Sequence, residues 1–216
     1  MTQEERIFKG WLYWPGDPEL KAMKLRSHNL SARYNQTLEN EVEKRSKLLK
    51  QIVGKIGVHY FMQGPIFFHY GSHTEIGDNF FANYNLTIQD DAKVHIGENA
   101  NFGPNVTIVT PIHPFLPSER FLLQDPDGRP RRMCYAKPVT IGNNVWLCAS
   151  VTVCGGVTIG NGCVIGAGSV VTRDIPDNSF AAGVPCRLIR KITKNDSMEF
   201  HPEILADCGI WKGGKD

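Results

Sequence analysis

His113 stands between Pro111 and Pro114 in a polar, proline-rich stretch. Imidazole, with an unperturbed pKa of about 6.5, is the side chain best suited to take a proton from a hydroxyl near neutral pH. Asn83 and Asp91 supply an amide and a carboxylate that can hold hydroxyl groups. Arg173, Arg187 and Arg190, late in the chain, carry the planar guanidinium that suits bidentate contact with phosphate. Trp146 offers a large flat surface. Each also has an ordinary reading. A loop histidine is usually solvated, Asn and Asp are common turn residues, single arginines are surface charges, and an outward Trp can pack against a second subunit. The framework that holds them decides between the two.

That framework is periodic. Ile141, Leu147, Val153, Ile159, Ile165 and Val171 recur at every sixth position. Val145, Val151, Val157, Cys163, Ser169 and Ile175 follow four places after each. Offsets of four and six are even, so on extended chain they share one face, whereas on a helix they scatter. A strand of such length would be far too long, so the chain bends at regular intervals and stacks into a parallel β-helix. The rhythm also runs through Ile76, Ala82 and Ile88, then Ile96, Phe102 and Ile108, with two extra residues near Asp90-Asp91. It breaks after Val109 and returns at Val139. A loop as long as 110–138 inside a regular coil is commonly functional.

Ahead of the coil, Asp17-Pro18-Glu19 reads as a helix start, with the helix reaching about Arg33. Thr37 is the expected cap of a second helix over 38–53, with Val42, Leu49 and Ile52 or Val53 inward and Gly54 at its end. Residues 55–63 read as a connector and the coil as roughly 64–190. The expected organisation is a helical segment (1–60), a β-helix domain (61–193) and a tail (194–216) with a short helical turn at 202–206.

The chain of 216 residues is 41% hydrophobic with a formal charge of +2. That suits an ordinary soluble domain and gives no argument for nucleic acid. No apolar run is long enough for a membrane span, and the N-terminus has no apolar secretory segment. The six cysteines form no C-x-x-C pair, so reduced thiols and a cytoplasmic location are expected.

These residues resemble the hexapeptide-repeat acyltransferases, and within them the galactoside, maltose and nodulation sugar O-acetyltransferases. The resemblance rests on Phe81-Ala-Asn-Tyr-Asn-Leu-Thr-Ile, Asp90-Asp91, Ile112-His-Pro, Ile141-Gly-Asn-Asn-Val-Trp, Ile165-Gly-Ala-Gly-Ser-Val-Val-Thr and Ala182-Gly-Val-Pro-Cys-Arg-Leu-Ile-Arg, in that order. It covers residues 5–193. It implies a left-handed parallel β-helix assembled as a homotrimer, with acetyl-CoA and a small-molecule acceptor in clefts between subunits and no resident metal. It further implies His113 as general base, with direct transfer in a ternary complex. Asn83 and Asp91 would lie on the acceptor. Trp146, Ala149, Ala167, Thr172, Arg173, Arg187 and Arg190 would lie on the coenzyme.

The match departs from the galactoside enzymes near the first helix. Their acceptor-binding Asp and Arg align with Pro15 and Lys24, and Asp17 is the nearest substitute carboxylate. His69 replaces a small polar residue, and Cys148-Ala149 replaces Gly-Ser, leaving the Ala149 backbone N–H as the donor there. An acyltransferase for amines or antibiotics and a non-catalytic trimeric scaffold use the same coil. A zinc enzyme of carbonic-anhydrase type would need three converging imidazoles. His69 and His73 are neighbours in sequence, while His95 and His113 do not obviously join them.

Overall fold

The computed structural model describes residues 1–121, 123–124, 127–201 and 204. Most of the chain winds into a three-faced parallel β-helix. The first face stacks Lys55–Ile56, Thr74–Ile76, Val94–Ile96, Val139–Ile141 and Thr158–Ile159. The second stacks Phe61–Met62, Phe81–Ala82, Asn101–Phe102, Trp146–Leu147, Val164–Ile165 and Ser179–Ala182, and Arg187–Lys191 closes it antiparallel. The third stacks Ile66–Phe68, Leu86–Gln89, Thr107–Val109, Thr152–Cys154 and Val170–Val171. Every aliphatic residue of the six-residue rhythm faces the interior, from Ile76 through Val171. The even offsets thus did their work: each strand points one residue in, and each corner restores the phase.

The coil begins earlier than the sequence reading placed it. Lys55–Ile56 pairs with Glu75–Ile76, and Phe61–Met62 pairs with Phe81–Ala82. The supposed connector is therefore the first rung. Ile56, Met62 and Phe68 are six apart, and the step from Phe68 to Ile76 is eight. That step hid the earlier turn, and it repeats at Ile88 to Ile96. Both widenings lie on the edge between the third and first faces, and the long excursion from Thr110 to Pro138 leaves the coil at the same edge. The excursion is folded on itself. Pro111–Ile112 pairs antiparallel with Tyr135–Ala136, and Leu123–Gln124 with Pro130–Arg131.

Three helices precede the coil. α1 (Gln3–Phe8), unforeseen in the sequence, is a single capped turn and a half in which Thr2 and Glu5 form a reciprocal capping box. α2 (Pro18–Asn35) starts where expected, with the Asp17 carboxylate accepting from Glu19 N–H. α3 (Val42–Ile52) starts later than expected. Thr37 caps nothing there; its hydroxyl donates to the Tyr34 carbonyl, and Glu41 precedes the helix without a side-chain cap. Val42 is exposed, while Leu49 and Ile52 are buried. α2 and α3 close the end of the coil. Tyr34 OH and the Arg45 guanidinium both donate to the Met62 carbonyl, and the Asn35 amide exchanges bonds with Ile66. Backbone groups of the first rungs, which have no further coil to pair with, are satisfied in this way. After Lys191 two short 3-10 turns follow, Lys194–Asp196 and Met198–Phe200. The helical turn expected at 202–206 lies, but for residue 204, outside the described residues.

Candidate active site

The sequence candidates fall on two different edges of the prism. On the third–first edge the excursion carries His113. Its Nδ1 lies 2.9 Å from the Met133 carbonyl. A carbonyl only accepts, so in the neutral ring Nδ1 bears the proton and Nε2 keeps its lone pair. The backbone around the imidazole is fixed by Arg120. Its guanidinium donates to the Pro114 carbonyl (2.9 Å) and the Phe115 carbonyl (3.0 Å), and its own carbonyl accepts from Met133 N–H (2.8 Å). His113, Phe115, Arg120, Phe121 and Arg132 line an open hollow. This arrangement suits a base that takes a proton at Nε2.

Asp90 and Asp91 occupy the widened corner below. Asp90 is a structural residue. Its two oxygens accept from the backbone N–H groups of Tyr70 and Gly71 and from the Thr74 hydroxyl. Asp91 is also buried, with Oδ1 accepting from the Tyr13 hydroxyl and Oδ2 left without a partner. Burial pushes both carboxyls above the usual carboxylate range, against the pull of their hydrogen bonds. His69 lies 3.9 Å from Asp91 Oδ1. Burial, with the nearby positive charge of Lys24, holds its pKa down at about 4, so its ring is neutral at pH 7. Asp17 serves as the α2 cap.

His73 is fully engaged: Nδ1 meets the carbonyls of Asp90 and Asp91, and Nε2 meets Glu4 at 2.9 Å. Neither ring nitrogen is open to a metal. This contact fastens α1 to the widened corner. Thr172 and Arg173 lie farther along the same edge, beyond the strand Val170–Val171, and both are exposed.

The edge between the second and third faces carries the other set. Asn83-Tyr84-Asn85, Gly103-Pro104-Asn105, Cys148-Ala149-Ser150 and Gly166-Ala167-Gly168 stack as successive corners, joined by Asn105 N–H to Tyr84, Ser150 N–H to Pro104 and Gly168 N–H to Ala149 carbonyls. A cleft of about 450 Å³ lies on the second face beside the start of this edge, lined by Phe81, Asn83, Asn101, Phe102, Gly103 and Trp146. Asn83 Oδ1 accepts from Tyr84 N–H, which leaves its amide NH2 as the available donor. Trp146 is half exposed on the cleft wall. Cys148 and Ser150 donate their N–H groups into the coil, whereas Ala149 N–H has no acceptor among the described residues. Gly103 keeps that donor uncovered: a Cβ there would sit 2.7 Å from the Ala149 nitrogen. Gly168, with φ +70°, has open space where a Cβ would be.

At the far end Arg187 is exposed. Arg190, by contrast, is committed to Asp196 through two hydrogen bonds of 2.9 and 2.5 Å. One chain thus gathers His113, Asp91 and His69 on one edge and Asn83, Trp146, Ala149 and Ala167 on another, and does not bring the two sets together.

Residues 6–57 match the maltose acetyltransferase hexapeptide capping motif, and residues 138–173 match the bacterial transferase hexapeptide of six repeats. The galactoside O-acetyltransferase of Escherichia coli K12 is 43% identical over 97% of this chain and 99% of its own. The chain belongs to the hexapeptide-repeat acetyltransferases. Solved members superpose closely on it. A galactoside acetyltransferase in complex with coenzyme A gives a TM-score of 0.83 at 44% identity, covering 91% of this chain and 94% of that one. A maltose O-acetyltransferase from Clostridium difficile 630 gives 0.83 at 40% identity, covering 90% and 99%. The capping-motif match spans α2, α3 and the first coil strand Lys55–Ile56, and the six-repeat match is the most regular part of the coil.

In this acetyltransferase the sequence reading missed Tyr13, Arg120 and Gly103. Gly103 carries a signal in hindsight: it shares a corner column with Ala149, and a glycine below a free N–H marks a close approach. Tyr13 reaches Asp91 and Cys134 across long sequence separations, Arg120 bonds to nearby loop carbonyls, and no spacing rule reveals either.

Proposed function

We propose that the protein is an acetyl-CoA-dependent O-acetyltransferase that acetylates a hydroxyl of a sugar or similar small acceptor, with His113 as general base in a ternary complex. The observation that carries this reading is the Nδ1 contact of His113 with the Met133 carbonyl, which leaves Nε2 as the proton-accepting nitrogen. Relatives named for galactoside and maltose O-acetylation support the acceptor class, and the relative solved with coenzyme A supports the donor.

The donor fits this chain. The corner column offers an unspent N–H at Ala149 and bare backbone at Ala167 and Gly168, where a pantetheine arm can lie close. Thr172, Arg173 and Arg187 supply exposed polar and cationic groups for its phosphates. Arg190 joins them only by exchanging its Asp196 partner. Trp146 stacks along the arm.

Acetyl-CoA supplies the thioester. His113 Nε2 takes the acceptor hydroxyl proton as its oxygen attacks the thioester carbonyl. Ala149 N–H and the Asn83 amide stabilise the oxyanion that develops. Collapse releases the thiolate, and His113 returns the proton to it, so the ring ends neutral. Asp91 and His69 hold the acceptor. Asp17, already spent on the α2 cap, contributes at the rim.

The two residue sets lie on different edges, which supports an active unit of more than one copy; as the family resemblance implies, that unit is a homotrimer, in which the His113 edge of one copy faces the Asn83 edge of the next. Free thiols at the five described cysteines suit a cytoplasmic enzyme.

His113→Ala tests the reading. Free-thiol release from acetyl-CoA, measured over a panel of sugars and amines, should fall about a hundredfold or more, the scale of a lost general base. The oligomeric state should not change. Equal rates for parent and variant would reject the base assignment, and transfer to amines alone would reject the hydroxyl acceptor.

A further inference from the structure

Tyr13 lies in the extended segment between α1 and α2 and is completely buried. It makes two separate connections. Its hydroxyl donates to Asp91 Oδ1. Its main chain forms an antiparallel bridge with Cys134, Tyr13 N–H to the Cys134 carbonyl at 2.8 Å and Cys134 N–H back at 3.2 Å. The residue before Cys134 is Met133, whose carbonyl orients His113 at 2.9 Å. Thus one residue touches the acceptor-side carboxylate with its side chain and the support of the base with its backbone.

A buried carboxylate without partners is costly, and one with a single donor keeps its remaining oxygen hungry for another. Asp91 Oδ2 is that oxygen, the one buried carboxylate oxygen without a hydrogen bond among the described residues. With Oδ1 tied to Tyr13, turning the carboxylate costs that hydrogen bond, and Oδ2 is the oxygen left to accept.

We infer that Tyr13 is a positioning residue that holds Asp91 so that Oδ2 receives an acceptor hydroxyl at a fixed place relative to His113. The inference rests on the proposed acceptor role of Asp91 and adds the residue that sets its geometry. Tyr13 does not itself touch the acceptor. Its phenol is sealed among Ile7, Leu20, Tyr70, Ala92, Cys134 and Ala136. The sealing matters, because a hydrogen bond shielded from water is stronger and does not exchange with solvent. The ligand class is a polyhydroxylated acceptor, one hydroxyl reacting at His113 and a second donating to Asp91.

Tyr13→Phe in the full-length protein removes the hydroxyl and keeps the main-chain bridge. With methyl galactoside as acceptor, its KM should rise about tenfold, the scale of a lost hydrogen bond to a charged group. The KM for acetyl-CoA should stay unchanged and kcat should change less than threefold. Asp91→Asn should raise the acceptor KM by itself, and adding Tyr13→Phe to it should cost little more, since coupled residues are not additive. The imidazole nitrogen resonances of His113 should keep the signature of the Nδ1-protonated tautomer in Tyr13→Phe.

Three results overturn the inference. If Asp91→Asn raises the acceptor KM and Tyr13→Phe does not, Tyr13 is not the positioning residue while the Asp91 reading survives. If Asp91→Asn leaves the acceptor KM unchanged, the acceptor role of Asp91 falls and takes the inference with it. If Tyr13→Phe erases the His113 tautomer signature or raises both KM values together, Tyr13 is scaffold only.

Discussion

Gly103→Ala separates the proposed oxyanion role of Ala149 N–H from the mere stability of the coil. A Cβ at position 103 would lie 2.7 Å from the Ala149 nitrogen, 2.9 Å from the Cys148 carbonyl carbon and 3.1 Å from Ala149 Cα. All three are backbone atoms, so the added methyl cannot be accommodated by turning a side chain. The corner must move, at a cost of about 1–3 kcal/mol for overpacking. In a chain of this size that is a Tm lower by roughly 2–12 °C. The same methyl covers the one backbone donor of that corner left free for a substrate. Loss of an oxyanion donor lowers kcat by about a hundredfold or more.

Gly142→Ala is the matched control. Its Cβ would meet Asn161 Oδ1 at 2.7 Å, the Asn161 nitrogen at 2.9 Å and the Gly160 carbonyl carbon at 2.9 Å, on the edge that bears none of the candidate residues. The expected outcome is a similar Tm loss in both variants, by thermal melting, with kcat reduced only in Gly103→Ala, by steady-state thiol release well below both midpoints. If Gly103→Ala turned over within threefold of the parent despite its lower Tm, Ala149 N–H would have no part in stabilising the oxyanion. If Gly142→Ala lost as much kcat, the effect would belong to the coil rather than to the donor.

Arg120→Ala removes the two guanidinium bonds that fix the Pro114 and Phe115 carbonyls beside His113. At about 1 kcal/mol each for partly exposed bonds, Tm should fall by roughly 4–8 °C and kcat roughly three- to thirtyfold with both KM values little changed; an unaltered kcat would show that the Met133 contact holds the base unaided. His69 bears on acid stability. Its folded pKa, about 4, lies below that of the unfolded chain, so between pH 6.5 and 4 the unfolded state binds more protons and stability falls as pH falls. His69→Gln should therefore lose less Tm over that window than the parent, as read by melting at each pH, and an identical slope would show that the ring takes a proton without cost in the folded state.

Much of this molecule was legible in the sequence because its coil repeats one physical decision. Ile141, Leu147, Val153, Ile159, Ile165 and Val171 each enter the core for the same reason, and a reader who sees the period sees the fold. The start of α2 was legible too, since Asp17 and Pro18 are local signals that need no distant partner. The errors came where local and tertiary preferences part. Thr37 has the chemistry of a cap but spends its hydroxyl on Tyr34. Val42 fits the inward stripe of a helix that in fact begins with it, one turn too early to reach the coil, and so it is exposed. The first rung was lost because Phe68 to Ile76 is not six. Of the candidate site, the side chains proposed for the chemistry were visible as types, but their supports were not. Met133 reaches His113, and Tyr13 reaches Asp91, across separations that only the folded chain closes.

The irregularities of the repeat share one edge, and the proposed base and the proposed acceptor-side carboxylate both sit on it. A hexapeptide corner turned tightly holds small or left-handed residues, such as Asn85 and Asn105 at φ of 62° and 61°, and the polar side chain it buries is a small one, Ser169. Two added residues widen the corner. At the first widening, Tyr70 and Gly71 turn their N–H groups to Asp90; at the second, Asp90 and Asp91 turn inward to meet them, Tyr13 and Thr74. One coil higher the same edge releases the whole excursion that carries His113 and Arg120. The buried carboxylates sit where the period is broken, and the imidazole stands on the excursion that leaves the coil at the same edge. The stacked register then fixes their separation along the edge, because each rung is tied to the next by backbone hydrogen bonds. Insertion at one edge therefore places the proposed base and carboxylate on a scaffold whose second–third corners offer bare backbone and the Asn83 amide. The same logic places Ala149 N–H on an unbroken corner, where a glycine beneath it leaves the donor open without disturbing the rung.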